Sequence, residues 1–216
     1  MKTNWLKLFL LDSFKLSTLL FNKENPSLGV ADYKTLFQNG FTEVTDGSAD
    51  IFMPGIIDCS LTKLESSLPY GGVIESCATL VSSIQAEHQL GDTSYTDSYW
   101  LIKVDHGGSL PTIVIDAKNN TGLQLHKKSL QKLNLEGDFS SKIDIYCYPN
   151  THVNVLSVIS PDEMELLLKM NFTDLIVDGK YSYFLVKRSE GTLSNVLHAI
   201  KKIIPELRHR AKTFKF

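Results

Sequence analysis

The order of apolar and polar positions divides this chain into short strand-like runs with single helical stretches between them. Asn22 to Gly29, with Pro26 and Gly29, reads as a linker; Ala31 to Phe37 is then helical and stops at the C-cap pair Asn39-Gly40. From Ile51 to Ile57 apolar residues surround Pro54-Gly55, which predicts an edge or bulged strand. Val73 to Glu87 carries two signals. Val73, Cys77, Leu80, Val81 and Ile84 fit a helical face, whereas Thr79-Leu80-Val81-Ser82 is rich in strand formers, and strand is the reading taken.

The middle of the chain is clearer. Tyr99 to Val104 and Thr112 to Ala117 are β-rich, and Gly107-Gly108 with Pro111 between them predicts a turn and therefore an antiparallel pair. Continuous apolar character at Ile113 to Ile115 predicts a central strand covered on both faces. Lys132 to Leu135, then Ile143, Ile145 and Cys147 alternating with Asp144 and Tyr146, predict a second pair joined through Gly137 and Asp138. Ser160-Pro161-Asp162-Glu163 is a capping box, in which Ser160 accepts from an early helical N–H and Glu163 reaches back. The apolar stripe Met164, Leu167, Leu168 and Met170 carries that helix to about Asn171. Leu175-Ile176-Val177 and Lys180 to Val186 flank Asp178-Gly179, the signature of a hairpin with a type I′ turn. Leu193, Val196, Leu197, Ile200 and Ile204 predict a closing helix that Pro205 should kink or restart.

The sum is an α+β fold: a largely antiparallel sheet built of strand pairs interrupted by single helices, with N- and C-terminal helices. It divides into an N-terminal amphipathic helix (1–24), one α+β domain including the C-terminal helix (30–204) and a basic tail (205–216).

Composition narrows the function classes. With 216 residues the chain can bury roughly 70% of its unfolded surface and needs no disulfide or metal to fold. Charged residues make up 21% and the net charge is −2, which excludes a wholly disordered chain and a globally basic nucleic-acid binder. Cys59, Cys77 and Cys147 form no C-x-x-C pair, which favours reduced thiols and a cytoplasmic setting while leaving one bridge among the three open, and the six histidines are scattered with no zinc spacing. In the N-terminal segment the uninterrupted apolar run is Leu8 to Leu11, bounded by Lys7 and Asp12. A secretory core needs about seven such residues and a membrane span about eighteen, so the segment reads as a packing helix, with an interfacial anchor as the alternative. The glycosylation sequons at Asn119-Asn120-Thr121 and Asn171-Phe172-Thr173 carry no weight without a secretory signal.

Three stretches resemble a known group. Leu110 to Asn120, Leu133 to Phe139 (Leu-Asn-Leu-Glu-Gly-Asp-Phe) and Val158 to Leu168 around Ser-Pro-Asp-Glu-Met are similar to a family of uncharacterised bacterial proteins, found in actinobacteria and candidate-phylum bacteria, that carry a domain of unknown function. The resemblance runs over roughly residues 31–186 and implies an established domain with no known activity, cofactor or catalytic residues. Many relatives in that family carry a membrane-spanning segment, which is not legible in this chain.

One pattern suggests catalysis. Asp105, then Asp116-Ala117-Lys118, reads like the D…D-x-K layout of metal-dependent nucleases, where two carboxylates hold Mg²⁺ and a lysine polarises the attacking water. Glu75 or Glu87 would complete such a site, but Asn119-Asn120-Thr121-Gly122 reads as a loop where that layout has a helix. Asp105-His106 lacks a nucleophile elbow, and Gly71-Gly72 and Gly107-Gly108 do not continue into phosphate loops and read as turns. The charge is unevenly spread: Lys201, Lys202, Arg208, Arg210, Lys212 and Lys215 against Glu206 leave +5 on residues 201–216 and −7 elsewhere. A solvated helix end is the plain reading, and contact with an anionic membrane surface, aided by Phe214 and Phe216, is the sharper one; nucleic acid is disfavoured. The leading expectation is a non-enzymatic binding or scaffold domain without cofactor, meeting a protein partner or a membrane surface. The alternative is a metal-dependent hydrolase or nuclease using Asp105, Asp116 and Lys118.

Overall fold

The computed structural model describes residues 29–45, 62–90, 92–118, 127, 129–135, 139–169 and 174–213. The expected N-terminal helix, the Ile51–Ile57 strand, the two sequons, Cys59, Lys215 and the two tail phenylalanines lie outside them. In chain order the elements are α1 (Val30–Gln38), β1 (Thr42–Glu43), β2 (Thr62–Ser66), β3 (Tyr70–Ile74), β4 (Cys77–Leu90), β5 (Thr93–Ala117), β6 (Gln131–Leu133), α2 (Phe139–Lys142), β7 (Ile143–Cys147), α3 (His152–Val158), α4 (Pro161–Lys169), β8 (Asp174–Lys187) and α5 (Leu193–Thr213). All eight strands join one sheet, β1-β3-β4-β5-β7-β6, with β2 beside β4 and β8 beside β5. Every pairing among them is antiparallel. The fold class is therefore α+β with an antiparallel sheet, as the residue pattern predicts.

Local signals are realised where they close within a few residues. α1 ends as the Asn39-Gly40 pair requires: the Gly40 N–H donates to the Phe37 carbonyl and the Phe41 N–H to that of Leu36, the paired bonds of a Schellman cap. At the start of α4, Glu163 reaches back to the Ser160 N–H at 2.7 Å and also accepts from the Ser160 hydroxyl. The box is thus half realised. Ser160 gives its hydroxyl proton to Glu163 instead of accepting from the helix, because the Glu163 carboxylate is buried and takes both donors. The reading of Val73 to Glu87 as strand holds at Val73–Ile74 and again from Cys77 onward, with Glu75 and Ser76, both at positive φ (48° and 63°), turning β3 into β4.

Two predicted turns are not turns. Tyr99–Val104 and Thr112–Ala117 belong to one strand of 25 residues, and Leu175–Val177 and Lys180–Val186 belong to one strand of 14. Instead of folding back on themselves, β5 and β8 pair with each other, from Tyr99 opposite Lys187 to Asp116 opposite Asp174. The register slips between Asp105 and Leu110 and again between Leu110 and Ile113, and Gly179 faces Leu110 across the slip. Gly107 and Gly179 take φ of 74° and 57°, so turn-forming residues here bend two strands side by side. The residues facing each side change parity across the bend. On the helix-covered face stand Trp100, Ile102 and Val104 before it and Ile113 and Ile115 after it; in β8 Leu175 and Val177 precede it and Phe184 and Val186 follow. Pro111 fits because a bulged residue needs no ladder N–H. Gly71-Gly72 is likewise no turn: it lies inside β3, where a Cβ on Gly72 would come within 2.7 Å of the Phe41 ring. The expected pairing of the Lys132 segment with Ile143–Cys147 holds over a shorter strand, Gln131–Leu133, with Lys132 opposite Tyr146 and Leu133 opposite Ile145; Asn134 and Leu135 lie beyond it, and Gly137 and Asp138 lie outside the described residues.

Gly179→Val is expected to lower the denaturation midpoint by an amount equivalent to about 1–3 kcal/mol, because a β-branched residue resists the positive φ of the bend. An unchanged midpoint would show that the bend does not need glycine.

α5 covers one face with Leu193, Val196, Leu197, Ile200, Ile203, Ile204, Leu207 and Ala211. Pro205 does not end the helix, which continues to Thr213 through the segment expected as a tail. Its ring is on the exposed side, and the buried Leu207 and Ala211 keep the following turns on the sheet. The opposite face holds a second cluster: Ile84, Ala86, Tyr99, Leu101, Tyr183 and Leu185 from before the bend of β5 meet Val114 and Ile176 from beyond it.

Candidate functional site

The nuclease-like residues are not gathered into one site. Asp105 and Asp116 are eleven positions apart on β5, which on an extended strand is roughly 35 Å before bulges shorten it. Asp105 accepts from the Gly107 N–H at 3.0 Å and pairs with Lys180 at 3.2 Å. Asp116 pairs with Lys127, and Lys118 pairs with Asp144 at 3.3 Å and donates to the Ser140 carbonyl. Among the described residues no group of three or more His, Cys, Asp or Glu side chains is placed to hold a metal ion.

The register nevertheless builds something around Asp116 that its own sequence neighbours do not suggest. Asp116 lies opposite Asp144 on β7 and opposite Asp174 on β8, so three aspartates stand in a row across three adjacent strands. Each is on the face away from α5, since Ile115, Ile145 and Leu175 beside them point to the helix side. Carboxylates directly opposite on neighbouring strands repel. Lysines offset that repulsion. Lys132 reaches Asp144 at 2.8 Å, Lys118 joins it, Lys127 holds Asp116, and the Lys127 ammonium lies 4.6 Å from the centre of the Tyr146 ring. Burial pushes the Asp144 carboxyl up, but the hydrogen bonds from Lys132 and Lys118 outweigh it and hold the group below the usual carboxylate range. Asp174, fully buried, sits close enough to Tyr99 that its charge, after burial and Asp97, helps to raise the Tyr99 phenol. Tyr99 donates to Asp97 at 3.3 Å, and Asp97 is paired with Lys187 at 2.9 Å.

Ion pairs across β5, β7 and β8 therefore lie on the same face as the second apolar cluster. Asp144 and Asp174 were not singled out by sequence reasoning. The alternation Ile143-Asp144-Ile145-Tyr146-Cys147 does put Asp144 on the face opposite Ile143, Ile145 and Cys147, but only cross-strand register places it beside Asp116.

Because the Asp144 carboxyl is held low, its proton affinity is smaller in the folded chain than in the unfolded one. Its contribution is present above the ordinary carboxylate pKa and is lost as pH falls through the lower folded value. Asp144→Asn is thus expected to be less stable than the parent at neutral pH, with the two urea midpoints converging as the pH is taken into the acid range. A gap independent of pH would remove the lysine pairing as its cause.

The basic residues of α5 are divided between the chain and the solvent. Lys201 donates to Asn39 at 2.9 Å, Arg208 to the Glu75 carbonyl at 3.1 Å, and Arg210 to the Ser157 carbonyl and to Glu163 at 3.2 Å. These contacts pin the helix to α1, to the β3–β4 turn and to α3 and α4. Lys202 and Lys212 are exposed. Cys77 and Cys147 are free and buried, and burial raises both. Among the described residues no helix is long and apolar enough to cross a membrane.

No family model matches the chain, and no curated protein matches it either. Among solved structures, the chain is similar to the crystal structure of the mycobacterial trehalose monomycolate transport factor A, TtfA, with a TM-score of 0.57 at 5% identity, covering 86% of this chain and 94% of that one. At that identity what the two share is the fold.

Proposed function

We propose that this chain is a non-enzymatic binding or scaffold domain that works at the periphery of a membrane, and that it belongs to the bacterial domain family its sequence resembles. The observation that carries the reading is the commitment of the acids and lysines to one another. Asp105, Asp116 and Lys118 each serve a different ion pair or backbone bond, so the residues that suggested chemistry act in holding the bent sheet. A fold shared with a protein named as a transport factor is compatible with a role in contact and not in turnover. The surface offered to an anionic membrane is the exposed side of α5, with Lys202 and Lys212.

A basic residue close to an anionic leaflet contributes roughly 1 kcal/mol, so a small number suffices for measurable binding at low salt. The test is sedimentation with phosphatidylglycerol-containing and purely phosphatidylcholine vesicles, comparing the parent chain with the Lys202→Glu/Lys212→Glu variant. The parent should pellet with the anionic vesicles alone, the variant less, and both should release as the Debye length shrinks from about 10 Å at 0.1 M salt to about 3 Å at 1 M. Equal pelleting with both vesicle types, or none with either, would overturn the membrane reading.

A further inference from the structure

Three elements close on one another around the bend of β5. Gly108 lies against the last turns of α5, where a Cβ would come within 2.5 Å of the Ala211 carbonyl oxygen. The β3–β4 turn flanks the bend, since Ala78 is in register with Asp105 and the Glu75 carbonyl receives Arg208 of α5. β8 lies along the other side, with Tyr181 opposite Asp105. His106 is part of this bend and is completely buried, and neither of its ring nitrogens has a side-chain hydrogen-bond partner among the described residues.

We propose that His106 is an acid-sensitive latch for α5: protonation of this buried imidazole releases the last turn of the helix from the bend. The reading rests on the packing of the bend and does not depend on membrane binding. A charge placed in such a buried site, with the Tyr181 backbone as its near acceptor, is costly and is relieved by letting water in. The charged groups around the bend do little to receive it. Asp105, on the same strand, is committed to the Gly107 N–H and to Lys180 of β8. Arg208 and Lys212 of α5 and Glu75 of the β3–β4 turn all act on the buried Cys77 thiol beside Asp105, so two cations of the helix already stand near the bend. An imidazolium in the bend would add a third positive charge to the two that α5 brings near it.

The sign follows from burial, which holds the His106 ring below its ordinary value against smaller opposing pulls from the Tyr181 backbone and the Asp105 carboxylate. The released state, with an ordinary imidazole near pH 6.5, takes up the proton first, so closure weakens as the pH drops below about 6.5.

The experiment is amide hydrogen exchange of the full chain, corrected for intrinsic rates, read over peptides covering 207–213 at about pH 7.5 and about pH 5 and compared with His106→Leu. Protection in the parent should fall about tenfold or more between the two, and in the variant by less than about twofold. Acid loosening through the Glu163–Arg210 pair would occur in both chains, so equal loss in parent and variant overturns the latch, as does unchanged protection in the parent. If His106→Leu does not fold, the histidine ring resonances of the parent decide: the His106 midpoint must coincide with the loss of protection, and midpoints more than about one pH unit apart overturn the proposal.

Discussion

Replacing Trp100 with alanine is expected to cost about 4 kcal/mol of unfolding free energy. The indole is 1% exposed, lies on the helix-covered face in the first third of β5, and carries the Arg188 guanidinium 4.5 Å from its ring. That arginine pairs with Asp32 of α1 at 2.9 Å and reaches the Ser83 hydroxyl at 3.5 Å. Alanine removes the ring and the surface on which Arg188 rests, so a cavity opens and the tie from the end of β8 to α1 loses its support. Urea denaturation measures it: the midpoint should fall with an unchanged slope, and the melting temperature should drop by roughly 8–16 °C. Trp100→Phe keeps an aromatic face for the cation and should cost less than half as much. A loss below about 1.5 kcal/mol for the alanine variant would mean that the site collapses around the missing ring.

Gly108→Val comes second, at about 3 kcal/mol. A side chain there meets the backbone of α5 and not a movable group: the nearest atoms are the Ala211 oxygen at 2.5 Å and its carbonyl carbon at 2.7 Å. The helix must lift from the bend, and Leu207 and Ala211 lose part of their burial. The adjacent glycine is the internal control. A Cβ on Gly107 meets nothing within 4 Å, and Gly107→Ala is strained only through its φ of 74°, which costs about 1 kcal/mol. Thermal melts of the two variants separate close approach from backbone strain. Equal losses would show that α5 adjusts freely over Gly108.

The parts of this fold that a reader of the chain can see are those settled within one helical turn. The Asn39-Gly40 cap, the return of Glu163 to Ser160 and the apolar stripe of α5 all close between neighbours in sequence. Asp178-Gly179 and Gly107-Gly108 carry the same chemistry as hairpin turns, and nothing local distinguishes a turn from a bend in a long strand. What decides is a partner far away: β5 finds β8, and two strands bend together at positions that would each have folded back alone. The candidate site divides in the same manner. Asp105, Asp116 and Lys118 stand out in the sequence, but their partners Lys180, Lys127 and Asp144 are chosen by register.

The β5–β8 ladder also sets the order in which the molecule can be made. Its rungs join residues 58 positions apart at Asp116–Asp174 and 88 apart at Tyr99–Lys187, whereas the β4–β5 hairpin closes locally from Leu90 and Thr93. Contacts of such long sequence separation bear the full entropy of loop closure before they return any stability, and they slow folding. During synthesis β5 waits for β8 with one long edge open and with Trp100, Ile102 and Ile113 uncovered. Lys103, Asp105 and Asp116 interrupt the apolar run of β5, the kind of charge placement that disfavours pairing of an open strand with another copy.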